Sequence, residues 1–208
     1  VGKKIMEINN NKFLPDLLNS YIKIYDNVLP SNVLKNFLKI CEEYPGFEPS
    51  KIVVSEIKKE DEVNTNIRNV LAWNLKNINT ESLTETHYCN IFIKFFRDNI
   101  EKYIENCGIQ QKGFSLLNID VLKYENKGHY VFHVDHGFKN PRTYSCIFFV
   151  NEDYEGGELE FRVPNHTQST KIDKKKNRMI IWPSNFLYPH SVKPVTKGIR
   201  YSVVSWAL

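Results

Sequence analysis

The sequence predicts an α+β chain dominated by β, in which N-terminal helices buttress a C-terminal double-sheet barrel. Three observations carry this. Helical periodicity is confined to the residues before Gly108, short β-rich runs crowd residues 114–208, and no helix long enough for a parallel crossover separates those runs. Residues 1–113 therefore read as a helical and β support region integral to the same domain, and residues 114–208 as the barrel core. A chain of 208 residues suits that single unit, since domains cluster near ~100–150 residues and a barrel with support runs somewhat longer.

Residues 20–25 (SYIKIY) alternate and are rich in β-formers, predicting a strand that Pro30 and Ser31 stop, with an N-cap offered there for the next segment. Over residues 31–44, Val33, Leu34, Phe37, Leu38, Cys41 and Tyr44 recur at helical steps until Pro45-Gly46 ends the pattern. Residues 51–57 read as a strand, 58–62 as a charged turn, and NTNIRNVLAWNL as strand or loop. The longest helix is expected over 84–107, where Tyr88, Phe92, Phe96, Ile100 and Tyr103 lie on a broad apolar stripe and Gly108 suits the left-handed C-terminal position. Beyond it, FSLLNIDVLKY, HYVFHV, RTYSCIFFVN, GELEFR, STKI, RMIIW and IRYSVVSWAL read as seven or eight antiparallel strands of a sandwich or barrel.

Composition excludes several classes. Hydrophobic residues at 41% and charged residues at 25% match a globular chain and leave no room for disorder or a fibrous repeat. No apolar run approaches the ~18–20 residues of a membrane span, and VGKKIMEINNNKF lacks a secretory core, so no membrane partner and a cytoplasmic location are expected. A net charge of +4 is too small to point to nucleic acid, and the basic run KIDKKKNR reads as a solvated hairpin because no aromatics interleave it. Cys41, Cys89, Cys107 and Cys146 form no C-x-x-C pair and read as reduced, buried thiols.

The chemistry concentrates in HYVFHVDHG. His133 and Asp135 stand two apart at a strand end and share one face, so both can bind one cation. His190 can be returned to the same end by a closed barrel. Two imidazoles and a carboxylate form the facial triad that suits non-haem Fe(II), whereas a zinc hydrolase would bring a Glu base such as H-E-x-x-H supplies, and none is present. Arg200, near the start of the last strand, offers a planar fork for a distant carboxylate such as that of 2-oxoglutarate. His129 and His136 flank the motif but the triad needs only two histidines; Trp73, Trp182 and Trp206 read as structural. Gly156-Gly157 reads as a turn requiring positive φ.

Over residues 118–208 the sequence resembles the Fe(II)/2-oxoglutarate-dependent dioxygenases, within them the prolyl 4-hydroxylase-like branch. The resemblance rests on Tyr124, Tyr130, His133-Val134-Asp135, Arg142, Asn151, Glu155-Gly156-Gly157-Glu158-Leu159, Trp182-Pro183-Ser184-Asn185, His190, Pro194-Val195, Gly198, Arg200-Tyr201 and Trp206, met in the family's order. It implies a double-stranded β-helix, the jelly-roll or cupin-like barrel. It also implies Fe(II) on His133, Asp135 and His190, and 2-oxoglutarate held by Arg200 beside Tyr124, Ser145, Ile147 and Leu159. Dioxygen would be the second cosubstrate and ascorbate a supporting reductant, with succinate and CO2 as coproducts. A peptidyl residue, foremost proline, would be hydroxylated; Arg142 and Arg68 are the candidate contacts for a peptide or protein substrate. One departure stands out: the hypoxia-sensing prolyl hydroxylases carry a tyrosine where this chain has Phe149, so Ser145, Thr143 or Tyr124 would have to supply the hydroxyl. Competing readings keep the cofactors with lysyl, free amino-acid or nucleic-acid substrates, or make the chain a non-catalytic ligand-binding barrel; the last would be marked by a lost ligand or lost arginine, and neither is lost.

Overall fold

The computed structural model describes residues 16, 18–53, 61–76, 80–111, 113–164 and 169–208. Among the described residues, α1 (Ser31–Glu43) and α2 (Leu83–Asn106) are the long helices, and sixteen strands accompany them. Those of the first half are β1 (Lys23–Asp26), β2 (Glu48–Pro49), β3 (Ile52–Val53), β4 (Asp61–Glu62), β5 (Arg68–Asn69) and β6 (Leu71–Asn74). Then follow β7 (Leu116–Tyr124), β8 (His129–His133), β9 (Tyr144–Phe149), β10 (Tyr154–Gly156) and β11 (Leu159–Arg162). The chain ends with β12 (Ser169–Ile172), β13 (Arg178–Pro183), β14 (His190–Val192), β15 (Val195–Gly198) and β16 (Arg200–Ala207).

A seven-stranded sheet ordered β1-β13-β9-β16-β7-β6-β2 faces a five-stranded sheet ordered β12-β11-β14-β8-β5, with all ladders antiparallel. This is the double-sheet jelly roll that the strand density predicts. Strands from the first half of the chain extend both sheets: β1, β2 and β6 join the larger one and β5 the smaller.

Alternation along each strand divides the larger sheet's side chains between two cores. Tyr144, Cys146, Phe148, Val121, Val203, Met179 and Ile181 pack with Phe37, Phe92, Phe96 and Ile100 of the helices. Ile147, Phe149, Leu122, Tyr124, Ile180, Trp182 and Val204 turn inward toward Leu159, Phe161 and Val192 of the smaller sheet. Phe92 meets Phe148 at 5.9 Å between ring centroids and Tyr103 meets Tyr144 at 5.5 Å, so the aromatic face of α2 reaches onto β9. Full burial of each such ring contributes roughly 1.5–3 kcal/mol, enough to hold a long helix against a sheet. Ser82 caps α2 by accepting from the Glu85 amide at 3.2 Å, and Gly108 ends it at φ 63°.

Several expectations change. The residue at the N-cap of α1 is Pro30, with no side-chain cap, so Ser31 lies inside the helix; proline's fixed φ starts the turn without a hydroxyl. Asp61 and Glu62, expected in a turn, form β4 and pair with β3, while 54–60 lie outside the described residues. The segment NTNIRNVLAWNL resolves into a turn followed by β5 and β6, one in each sheet. KIDKKKNR is a corner rather than a hairpin: β12 pairs with β11, β13 with β9, and the chain crosses between sheets. Its charges are engaged there, with Arg178 and Lys175 both on Asp26, which ties β1 to the sheet edge. Among its described residues the barrel region holds ten strands; β10, β14 and β15 are too short to show as separate β-runs in sequence.

Candidate functional site

His133 ends β8 and His190 begins β14, and the two are direct partners across the ladder. The register then slips, with Val192 opposite Tyr130, so β8 carries one extra residue between the two pairs. That bulge places Tyr130 on the same face as His133, which strict alternation would not, and the two rings stack at 3.5 Å. Asp135 follows just beyond the strand. The ligand atoms of His133, Asp135 and His190 lie within 4.8 Å of one another.

The protonation geometry suits a cation. Nδ1 of His133 faces the Val131 carbonyl at 2.9 Å and Nδ1 of His190 faces the Tyr188 carbonyl at 3.2 Å. Each ring thereby donates through Nδ1 and presents a lone pair on Nε2, the arrangement that metal-binding imidazoles use. The Nε2 atoms stand 3.6 Å and 3.4 Å from the two Asp135 oxygens. Burial opposes the charge on Asp135, yet the imidazoles of His190 and His133 and the Ser145 hydroxyl outweigh it and hold the carboxyl well below its usual range. Burial pushes His190 down to about 4, against the pull of Asp135, so its ring is neutral at pH 7. Two imidazoles and one carboxylate, with open space on one side, form a donor set that fits Fe(II).

Arg200 projects from β16 of the facing sheet and is fully buried. Its guanidinium stands over the Tyr124 ring at 4.7 Å and the Phe149 ring at 5.2 Å, and Nη1 donates to the Ser202 hydroxyl at 3.2 Å. Nε and Nη2 have no partner, and among the described residues no carboxylate pairs with the charge. A buried guanidinium with two nitrogens left without acceptors is costly, so its surroundings fit a carboxylate arriving with a ligand. Gly157 makes the room: at φ 65°, a Cβ there would come within 3.1 Å of Arg200 Cδ.

A cavity of about 290 Å³ is lined by His133, Asp135, His190, Tyr124, Ile147 and Leu159. Its lining continues through Trp182 and Trp206 to Arg68, Asp120 and Arg142. Arg142 packs on the Trp206 ring at 3.7 Å and approaches Asp135 at 3.6 Å. Arg68 lies over Tyr130 at 4.8 Å. Trp182 and Trp206 are thus core and cavity wall together, while Trp73 packs among Tyr44 and Phe37 away from the cavity.

Ser145 occupies a different place from the one expected of a cosubstrate contact. Its hydroxyl donates to Asp135 Oδ2 at 2.7 Å, and in register it stands opposite Trp206, at the far end of β16 from Arg200. Thr143 is exposed, so among the residues weighed for the tyrosine lost at Phe149 only Tyr124 adjoins Arg200. Sequence reasoning missed Ser202, which holds Nη1, although its position two residues past Arg200 puts it on the same face. Asp120 was missed too; burial pushes its carboxyl up to about 6 against Arg68 and Arg142. His129 hydrogen-bonds the Lys127 and Asn66 carbonyls and His136 the Arg142 carbonyl, outside the triad.

Comparison with known proteins agrees with this geometry. Residues 119–208 match the sequence profile of the 2OG-Fe(II) oxygenase superfamily. A PKHD-type hydroxylase of Pseudomonas fluorescens is 34% identical over 93 residues, covering 40% of this chain and 39% of that protein. Prolyl 3-hydroxylase 2 of Homo sapiens is 42% identical over 66 residues, 31% of this chain and 9% of that one, so the match spans only a fraction of these relatives' length. Among solved structures, a Trichoplax adhaerens prolyl hydroxylase, in complex with a hypoxia inducible factor oxygen degradation domain peptide fragment, superposes with a TM-score of 0.69. It is 19% identical and covers 99% of this chain and 94% of that one. A Pseudomonas putida prolyl-4-hydroxylase gives 0.67 at 16% identity, covering 93% of this chain and 95% of that one. At such identities the shared property is the fold.

Proposed function

We propose, from the match of residues 119–208 to the 2OG-Fe(II) oxygenase superfamily, that the protein is an Fe(II)- and 2-oxoglutarate-dependent dioxygenase that hydroxylates a peptidyl residue, foremost proline. The observation that carries the reading is the pairing of a His133–Asp135–His190 cluster on the smaller sheet with a buried, partly unsatisfied Arg200 guanidinium on the larger one. A cation site alone suits many reactions. A second site for a carboxylate, set back from the cation, suits a dicarboxylic cosubstrate.

In this reading His133, Asp135 and His190 would hold Fe(II), and Arg200, whose guanidinium lies by Tyr124 and Phe149, would hold the distal carboxylate of 2-oxoglutarate. Bound together, metal and cosubstrate supply the oxidising chemistry, releasing succinate and CO2 and giving one oxygen atom of O2 to a C–H bond. The chain's own part is orientation. Ile147, Leu159 and Trp182 exclude water from the cosubstrate, and the Nδ1 hydrogen bonds keep both imidazoles facing one point. Arg68, Arg142 and Trp206 at the outer end of the cavity are the contacts offered to a peptide. The prolyl hydroxylases among the relatives support proline as the target, and among the described residues no helix is long and apolar enough to cross a membrane.

The test incubates the protein with Fe(II), 2-oxoglutarate, ascorbate and a panel of proline-rich and lysine-containing peptides, following peptide mass and succinate in parallel. An added oxygen located on proline is the expected result. Oxygen on lysine would move the substrate and keep the class. Absence of succinate under every condition would overturn the enzymatic reading.

A further inference from the structure

The two serines behind Asp135 are arranged in a way that the ligand set alone does not require. Ser145 Oγ lies 2.7 Å from Asp135 Oδ2 and 2.7 Å from Ser184 Oγ. Both serines are buried, at 1% exposure, so water does not compete for their hydroxyls. Ser145 has one proton to give. An ionised carboxylate can only accept, so that proton goes to Asp135, and the hydrogen between the two hydroxyls comes from Ser184. The direction of the chain is therefore fixed: Ser184 donates to Ser145, and Ser145 donates to Asp135.

Ser184 is itself immobilised. Its amide donates to the Thr143 carbonyl at 3.0 Å and its carbonyl accepts from the His136 amide at 3.0 Å. It thus joins three segments: the loop that carries Asp135, the start of β9, and the loop that leads to His190. With Ser145 on Oδ2, one lone pair of that oxygen is already used and the carboxylate plane is set. Without that bond, the carboxylate is steered, among the described residues, by imidazole nitrogens at 3.4 Å and 3.6 Å and by Arg142 at 3.6 Å.

We propose that Ser145 and Ser184 are positioning residues for the metal centre: a directed hydroxyl chain that fixes the Asp135 carboxylate and ties it to the His190 loop. This rests on the reading of His133, Asp135 and His190 as a cation site. It also separates Ser145 from the cosubstrate, since Arg200 stands at the other end of β16.

The experiment titrates the full chain with Mn(II) alone, with no cosubstrate, reading the free ion by electron paramagnetic resonance. Wild type, Ser145→Ala, Ser145→Thr, Ser184→Ala and His133→Ala are compared. Loss of a residue orienting a metal ligand costs about 10–100-fold in affinity, and that weakening is expected for Ser145→Ala. Ser184→Ala is expected to fall between it and wild type, because it acts through Ser145. Ser145→Thr keeps a hydroxyl and is expected to bind close to wild type. At saturating metal, the KM for 2-oxoglutarate should be unchanged in Ser145→Ala. Wild-type Mn(II) affinity in Ser145→Ala, equal weakening in Ser145→Ala and Ser145→Thr, or a raised KM at full metal loading would each overturn the proposal. Equal, negligible binding by wild type and His133→Ala would overturn the metal reading itself, and this inference with it.

Discussion

The two faces of the seven-stranded sheet are built from the same strands and do different work. On β16, Tyr201, Val203 and Ala207 face the helices, whereas Arg200, Ser202, Val204 and Trp206 face the barrel interior. On β9, Tyr144, Cys146 and Phe148 lie in the helix-facing core, and Ser145, Ile147 and Phe149 turn inward. The helix-facing core is apolar and closely packed around aromatic rings. The inner face carries a buried guanidinium with two unpaired nitrogens, buried hydroxyls and a raised carboxyl. Period-two alternation lets neighbouring residues serve stability and chemistry separately, so changes on the two faces should read out in different assays.

The largest effect is expected where the inner face meets the cation. Asp135→Ala should reduce substrate-independent conversion of 2-oxoglutarate to succinate to background while leaving the helix-facing core intact. Undiminished turnover would sink the metal assignment. Next comes the outer face: Phe148→Ala removes a fully buried ring that touches Phe92 and should cost about 3–5 kcal/mol of stability. Thermal unfolding would register that loss, and the KM for 2-oxoglutarate below the transition should not move. A shift in KM would mean that the two faces are coupled through β9.

Arg200→Met sharpens the contrast further. The side chain is fully buried and its charge is uncompensated, so replacing it with an apolar residue of similar length should leave Tm unchanged or raise it. The carboxylate clamp is lost at the same time. Hydrogen bonds to a charged group are worth roughly 1.5–3 kcal/mol each, so the KM for 2-oxoglutarate should rise about 100-fold, while Mn(II) affinity stays near wild type. Equal losses of metal, cosubstrate and stability would make Arg200 structural.

Much of this division was legible in the sequence because it is local. His133 and Asp135 share a strand end, Arg200 follows a turn glycine, and the stripe of α2 repeats at helical steps. What remained hidden depends on distant partners. Asp120 shares a face with Tyr124 by alternation, but no spacing in the chain brings Arg68 and Arg142 to its carboxylate. Ser145 could be read as facing inward, yet its neighbours Asp135 and Ser184 come from two different loops, and no spacing in the chain announces that they meet. Tyr130 reaches the cavity only because the β8 bulge breaks the period. The corner at KIDKKKNR looked like a hairpin since turn chemistry is local, whereas the choice of sheet for β13 is set by β9 and β1, far away in sequence.

The smallest effect tests whether the inner face also carries a cost. Asp120 sits on the cavity wall opposite Val204 and Asn74 in register, with Arg68 and Arg142 as the charges that face it. Burial raises its carboxyl from 3.8 to about 6 despite both guanidinium groups. The folded state therefore binds the proton more tightly than the unfolded chain, so this group favours folding as the pH falls from about 6 toward 4 and opposes it at neutral pH. Asp120→Asn removes the ionisation and should stabilise the protein at pH 7.5 by about 1–2 kcal/mol, a discounted fraction of the full linkage term. Denaturant unfolding at stepped pH should show that advantage shrinking as wild-type Asp120 becomes protonated, and the two proteins converging near pH 4. An advantage independent of pH would mean the carboxylate is balanced by its arginines, and that the inner face holds Asp120 without penalty.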